Sequence, residues 1–232
     1  TREVAVLEFK NILENNVPQG HSAEEILAMA MKMQRSMSLY ESGIKEICTK
    51  LEILQREAQV QGIHNPIESI KSRVKNIFSV IEKLDRKGFA VSMESAEENL
   101  YDVAGVRIIC PYIDDIYIVA DRIRRQDDLR VLLEKDYIQN PKKNGYRSLH
   151  LVVEVPVFLA DSKKYVKVEI QLRTIAMDFW ASLDHQIRYK MEDVVPAEIT
   201  EKLRHCAETI AETDLEMQEI YKAVRTLSHD DQ

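Results

Sequence analysis

Two carboxylates stand where an acid is costly. Asp102 lies just before the apolar run VAGVRIIC, and Glu169 lies inside the run VKVEIQLRT. Both are strand-like contexts in which an acid loses hydration unless a cation or a metal compensates it. Either one alone reads equally well as a strand-edge acid in a salt bridge. Together, and with cations nearby, they are the parts of a Mg²⁺-assisted phosphoryl-transfer site, where carboxylates hold the metal and cations hold phosphate oxygens. The cations come in two clusters. Lys71, Arg73, Lys75, Lys83, Arg86 and Lys87 face only Glu82 and Asp85 within that span, and Lys135, Lys142, Lys143 and Arg147 lie in and before a loop-like stretch. The loop itself, Asn140-Pro141-Lys142-Lys143-Asn144-Gly145-Tyr146-Arg147-Ser148, is dense in turn formers. Its ordinary reading is a solvated hairpin turn. Its functional reading is a tyrosine that stacks on a base while the ammonium groups meet phosphates.

The composition limits what such a site can serve. A chain of 232 residues, 45% apolar, holds one substantial core with helical arms rather than two full domains. A net charge of −7 argues against a protein that coats nucleic acid, so no stable nucleic-acid complex is expected. Local basic clusters in an acidic chain point instead to small polyphosphate ligands. Cys48, Cys110 and Cys206 are far apart and show no paired spacing, which excludes a disulfide framework or a zinc site and reads as buried thiols in a reducing compartment. No apolar run is long enough to cross a bilayer, and the opening TREVAVLEFKNILENN carries acids and amides where a signal peptide needs an unbroken apolar segment. A cytoplasmic protein is expected, and the opening Thr1 reads as a start inside a longer chain.

The elements that must position these groups follow from periodicity. Ser22 to about Val60 is rich in helix formers, with Pro18-Gly20 as the break before it and Ser22/Glu25 as a capping box. After the break His64-Asn65-Pro66, the apolar residues Ile67, Ile70, Val74, Ile77, Ile81 and Leu84 keep helical spacing, so periodicity alone predicts one helix there. VAGVRIICPYI, LRVLLEKDYI, YRSLHLVVEVPVF and YVKVEIQLRT predict four strands, with a helix over Asp114–Gln126 as a crossover. Thr174–Lys190 and Pro196–Leu227 read as helices, the second opened by a proline suited to a first turn.

The blocks YDVAGVRI, NPKKNGYRSLHLVVEV and VEIQLRTIAMDFWASLDHQIRYK, in that order, resemble the synthetase domain shared by RelA/SpoT proteins and small alarmone synthetases, over roughly His64 to Lys190. The resemblance implies an α+β fold: a mixed five-stranded sheet of nucleotidyltransferase type flanked by helices. It divides the chain into an N-terminal helical region (1–63), a catalytic domain (64–190) and a C-terminal helical extension (191–232). It also implies that Lys71-Ser72-Arg73-Val74-Lys75 is the first strand, replacing the single-helix reading. A strand puts Lys71, Arg73 and Lys75 on one face, and a helix starting at Lys75 then aligns Lys75, Ser79 and Lys83, with Arg86 close by. The only His-Asp dipeptide, His229-Asp230, sits in the tail, so no hydrolase half is expected.

By the same resemblance, ATP binds at Lys71, Arg73, Lys75, Ser79, Lys83, Arg86 and Arg107. Arg73 and Arg107 sandwich the adenine, and Lys75, Ser79, Lys83 and Arg86 hold phosphates. Asp102 binds Mg²⁺, while Glu169 assists the metal or takes a proton. The acceptor GTP or GDP meets Lys135, Lys142, Asn144, Tyr146, His150 and Gln171, with Tyr146 stacked on guanine. The implied reaction moves pyrophosphate from ATP to the acceptor 3′-hydroxyl, in a homo-oligomer that relatives commonly build as a tetramer. Alternatives stay open at single residues. His150 between Leu149 and Leu151 also reads as a satisfied structural histidine, Lys135 as a solvated strand-end lysine, and Phe179 and Trp180 as core packing. Asp178 and Asp184 depart from the commonest pattern, where relatives often carry another polar residue and Glu respectively, which leaves acceptor preference open. Two other functions fit the same blocks: a toxin-type relative that pyrophosphorylates the tRNA 3′ end, and a nucleotide sensor without chemistry.

Overall fold

The computed structural model describes residues 23–90, 92–191 and 195–230. The Pro18-Gly20 break and the Ser22/Glu25 capping box lie outside the described residues.

Five strands form one mixed sheet in the order β1-β2-β5-β4-β3. They are β1 (Ser69–Val74), β2 (Ala104–Cys110), β3 (Arg130–Asp136), β4 (Leu149–Phe158) and β5 (Lys163–Thr174). β2 and β5 run parallel, and the other neighbours are antiparallel. The helices are α1 (Ala23–Gln61), α2 (Ile77–Arg86), α3 (Met93–Asn99), α4 (Ile113–Arg124), α5 (Ile175–Lys190) and α6 (Ala197–Asp230).

The sheet divides its residues by the period of two. Val106 and Ile108 of β2, Val168, Ile170 and Leu172 of β5, and Leu149, Leu151 and Val153 of β4 are all buried on one face. Each full burial of such a side chain contributes roughly 2 kcal/mol. α1 covers this face with Tyr40, Ile44, Ile47, Leu51 and Ala58, spaced by four, three, four and seven as one helical stripe. α4 lies beside it through Ile116, Val119, Ala120 and Ile123. The approach of α1 is close at Gly43, where a Cβ would stand 2.8 Å from Val166 Cγ1.

The opposite face carries the polar set. The register aligns Lys71 with Arg107, Gly105 with Glu169, Arg107 with Gln171, Gln171 with His150, and His150 with Lys135. One sheet face thus gathers cations, a carboxylate, an amide and an imidazole from all five strands.

Residues 67–84 are not one helix: β1 ends at Val74 and α2 begins at Ile77. α3 was not anticipated. Ser92 caps it by accepting from Ser95 N–H, and Met93 and Ala96 bury its inner side. α5 starts on Thr174, whose Oγ1 accepts from Met177 N–H and donates to Asp214 of α6 at 2.6 Å. α6 folds back on its own chain. Trp180 Nε1 donates to Leu203 O at 2.8 Å, Gln218 Oε1 accepts from Asp114 N–H at 2.9 Å, and Tyr221 stacks on Tyr112. Two side chains read from sequence as buried are exposed: Phe179 on α5 and Cys206 on α6 point outward, whereas Trp180 is core. Cys48 is half-buried, Cys110 is buried, and all three thiols are free.

Candidate active site

Two clefts open on the polar side of the sheet, and Lys83 lines both. The first, about 490 Å³, lies at the start of α2 and is lined by Arg73, Lys75, Asn76, Ser79, Lys83, Arg86, Glu82 and His185. Asn76 caps α2 by accepting from Ser79 N–H at 3.2 Å. Four cations line it, Arg73 and Lys75 just before the first turn of α2 and Lys83 and Arg86 in its last turn, so the cleft favours an anionic ligand such as phosphate. The second cleft, about 350 Å³, holds Asp102, Glu169, His150, Lys135, Lys142 and Tyr137, with Lys87 and Tyr101 at its wall. Both volumes are of the size that admits a nucleotide-sized molecule.

Asp102 sits between the clefts, held by Lys75 Nζ at 2.9 Å and Lys83 Nζ at 2.6 Å, both on Oδ2. Its Oδ1 is buried and takes no hydrogen bond. Burial alone would raise this carboxyl, but the hydrogen bonds from Lys83 and Lys75 outweigh it and hold it below the ordinary carboxylate range. Glu169 has both oxygens engaged: Oε1 accepts from His150 Nδ1 at 3.1 Å and Oε2 from Gln171 Nε2 at 2.9 Å. Burial pushes it up, and the His150 and Gln171 contacts bring it to a net lowering.

Because a carboxylate only accepts, His150 Nδ1 carries a proton, and its Nε2 meets Tyr146 Oη at 2.7 Å. Arg173 Nη2 also donates to Tyr146 Oη at 2.7 Å and to Gln171 Oε1 at 3.0 Å. Lys142 Nζ sits 4.6 Å from the Tyr137 ring centre and 4.7 Å from that of Tyr146. Burial, with Lys135 and Arg173 as like charges, lowers the Lys142 ammonium against the pull of Glu169.

The anticipated residues fall into four groups. Arg73, Lys75, Ser79, Lys83 and Arg86 line the first cleft, and Asp102, Glu169, Lys135, Lys142 and His150 line the second. Tyr146 and Gln171 form the hydrogen-bonded backing of the second cleft rather than its lining. Lys71 and Arg107 are drawn to Asp178, at 3.1 and 3.0 Å, and Asn144 turns to Asp184 on α5 at 3.5 Å. Sequence reasoning missed Asn76, His185, Tyr101, Tyr137 and Arg173, and it placed Lys87 in the first basic cluster although the residue lines the second cleft. Arg173 had a signal: it continues the alternation Glu169, Gln171, Arg173 on one strand face, and a nearly buried arginine must be paired.

The loop that carries Tyr146 rests on α6. Gly145 adopts φ +88°, and a Cβ there would stand 2.5 Å from Ala207 Cβ. Gly145→Ala is therefore expected to cost about 1–3 kcal/mol through strain and contact. Thermal unfolding of the variant against the wild type checks this, and an unchanged midpoint would show that the loop yields without strain.

Among the described residues, no cluster of three or more His, Cys, Asp or Glu side chains could hold a metal by itself. No helix among them is long and apolar enough to cross a membrane.

A mixed sheet whose polar face pairs two carboxylates with two cation-lined clefts defines an enzyme that handles nucleotide phosphates. Residues 72–194 match the family described as the region found in RelA/SpoT proteins. The chain is 47% identical over 191 residues to the GTP pyrophosphokinase YwaC of Bacillus subtilis, covering 82% of this chain and 91% of that one. It is 36% identical over 187 residues to the GTP pyrophosphokinase YjbM of the same organism, covering 81% and 87%. Its fold matches the crystal structure of the small alarmone synthetase 2 from Bacillus subtilis with a TM-score of 0.76 at 46% identity, over 82% of this chain and 98% of that one. It matches the small alarmone synthetase 1 of that organism, bound to its product pppGpp, with a TM-score of 0.78 at 36% identity, over 83% and 98%. This chain belongs to the RelA/SpoT family.

Proposed function

We infer that the protein transfers the β,γ-pyrophosphate of ATP to the 3′-hydroxyl of GTP or GDP, making pppGpp or ppGpp and releasing AMP. The observation that carries this reading is the meeting of Asp102 and Glu169 in one cleft, joined through Lys83 to a second cleft lined with cations. Relatives named GTP pyrophosphokinase and a neighbour bound to pppGpp support it.

In this reading the first cleft is the donor side. Arg73 and Arg107 flank the adenine, and Lys75, Ser79, Lys83 and Arg86 hold the phosphates, with Lys71 at the strand edge. The second cleft is the acceptor side, where Lys135, Lys142 and His150 meet the guanine nucleotide and Gln171 and Asn144 support its loop and wall. Tyr146 offers its ring to guanine once the Lys142 ammonium leaves it for a phosphate.

A Mg²⁺ ion fits at Asp102, because the buried Oδ1 has a lone pair that nothing on the protein uses. Two carboxylates without a third donor suit an ion that arrives with nucleotide phosphates. When bound, it neutralises charge on the phosphate oxygens. The acceptor 3′-oxygen attacks the β-phosphorus, the bond from that phosphorus to the α,β-bridging oxygen breaks, and AMP leaves with the electron pair. Lys75 and Lys83 offset the charge growing on the bridging oxygen. Glu169 takes the proton of the 3′-hydroxyl while His150 and Gln171 hold its orientation.

A cytoplasmic location fits substrates of this kind. A homo-oligomer formed through α6 accounts for its second apolar stripe, Met217, Ile220, Val224 and Leu227, which is exposed in the single chain. Light scattering on the purified protein reads this directly, and a monomer at micromolar concentration would refute it.

The test of function is incubation with Mg²⁺, γ-labelled ATP and, separately, GTP, GDP or deacylated tRNA. Label in a guanosine 3′-pyrophosphate with AMP released is expected. Label in tRNA alone, or in no acceptor, would overturn the reading.

A further inference from the structure

Asp214 of α6 is a buried acid that the chemistry described above does not use. It is 8% exposed, and its Oδ2 accepts from the hydroxyl of Thr174 at 2.6 Å. Thr174 is itself fully buried and caps α5. Burial raises the Asp214 carboxyl, against the Thr174 hydrogen bond and the charge of Arg147, which both pull it down. A buried carboxylate keeps its place only where hydrogen bonds and an opposite charge compensate it, and here the charge comes from the loop that carries Tyr146.

That loop meets α6 on both sides of Tyr146. Gly145 lies against Ala207, and Arg147 is the cation that acts on Asp214, about two helical turns further along α6. Tyr146 itself packs against the apolar cluster of Trp180, Ala181 and Ala207, as do Leu203 and Ile210 of α6. Arg147 Nη1 donates to Ile138 O at 3.0 Å, which ties the end of the loop to its start. Inside the loop, Gly145 N–H donates to Lys142 O at 2.8 Å and Lys142 N–H donates to Tyr146 O at 3.1 Å. These bonds make the turn move as a unit, and Lys142, which lines the second cleft, moves with it.

We propose that Asp214 is a positioning residue for the guanine nucleotide: from α6, through Arg147, it fixes the loop that carries Lys142 and Tyr146. The proposal rests on the assignment of the second cleft to the acceptor given above. An aspartate that merely pinned α6 to the cap of α5 would need only the bond to Thr174, which an asparagine oxygen also accepts. An aspartate that places the loop needs its charge opposite Arg147.

The experiment is steady-state kinetics of the full chain with Mg²⁺, ATP and GDP, on the wild type, Asp214→Asn, Asp214→Glu, Arg147→Gln and the double variant Asp214→Asn/Arg147→Gln. Emission of Trp180, the single tryptophan, reports whether α6 stays docked, because its ring nitrogen donates to Leu203 O of that helix. In Asp214→Asn with unshifted emission, the KM for GDP is expected to rise about 5-fold or more, while kcat and the KM for ATP stay within about twofold of wild type. Arg147→Gln should show the same split, and the double variant no more than either single one, because the two charges act as one pair. Asp214→Glu, which keeps the charge, should recover part of the loss. A KM for GDP that stays within about twofold in folded Asp214→Asn, or effects of the two substitutions that multiply, overturns the proposal and leaves the cleft assignment standing. Should Asp214→Asn fail to fold, Arg147→Gln decides, and an unchanged KM for GDP there overturns the proposal. A KM that rises for ATP alone, or a wild type without transfer, overturns the cleft assignment and the proposal with it.

Discussion

Glu169→Gln is expected to lower the turnover rate for pyrophosphate transfer about 10³-fold while leaving the affinities for α,β-methylene-ATP and GDP within a few-fold of wild type, the scale of removing a positioned proton acceptor. Gln keeps the length and one acceptor oxygen, so His150 Nδ1 retains a partner, while Gln171 Nε2 loses its acceptor to the new amide nitrogen. What it loses is the negative charge and the ability to take the 3′-hydroxyl proton. The pH dependence sharpens the test. Burial raises the Glu169 carboxyl, and the His150 and Gln171 contacts lower it further than burial raises it, giving a net downward shift. The folded enzyme therefore carries an ionised Glu169 at every pH above the ordinary Glu value of about 4.3. The acid limb of kcat/KM that belongs to this residue should lie below that value and vanish in the variant. Parallel loss of transfer and of nucleotide affinity would mean that Glu169 holds the site together rather than taking part in the reaction.

The alternation that sets this geometry is visible along the strands. Val106 and Ile108 against Gly105 and Arg107, or Val168, Ile170 and Leu172 against Glu169, Gln171 and Arg173, separate a core face from a polar one in the sequence itself. The segment 67–84 misleads because Ile70 and Val74 lie four residues apart, a spacing that satisfies both the period of two and the period of 3.6. β1 is also an edge strand, half-buried at Ser69, Ile70 and Val74 and exposed from Lys71 to Arg73, so it lacks a clean alternation. The motif Lys71-Ser72-Arg73-Val74-Lys75 decided in favour of a strand where periodicity could not. α3 has seven residues and no apolar repeat. It exists because Ser92 caps it and Met93 and Ala96 find a tertiary partner.

The Asp178 cluster was illegible for a different reason. Its members are 107, 71 and 5 residues from Asp178 in sequence, and only the β1–β2–β5 register brings Lys71, Arg107 and Arg173 to one carboxylate. The outward placement of Cys206 and Phe179 depends on how α6 docks against α5, which the helical pattern of α6 leaves open because that helix is apolar on two sides.

Asp102→Asn should separate two roles that one carboxylate combines. Asp102 neutralises Lys75 and Lys83 through Oδ2, while its buried Oδ1 takes no hydrogen bond from the protein. Removing its charge frees two ammonium groups in a cleft that receives phosphates, so the variant is expected to bind ATP without divalent ions as tightly as wild type or more tightly. The same change deletes the carboxylate available to Mg²⁺. Turnover should fall about 10³-fold, the scale of removing one preorganised electrostatic element from a polar site. The half-saturating Mg²⁺ concentration should rise by about tenfold or more, by analogy with the loss of a metal-site ligand partner. A readout independent of turnover is the thermal shift produced by α,β-methylene-ATP. In the wild type it should be larger with Mg²⁺ than with EDTA, and in Asp102→Asn that difference should disappear while the EDTA shift persists or grows. A variant that keeps the Mg²⁺-dependent shift would move the metal away from Asp102. One that loses the EDTA shift as well would make Asp102 a structural clamp for Lys75 and Lys83, with the fold of the phosphate cleft depending on it.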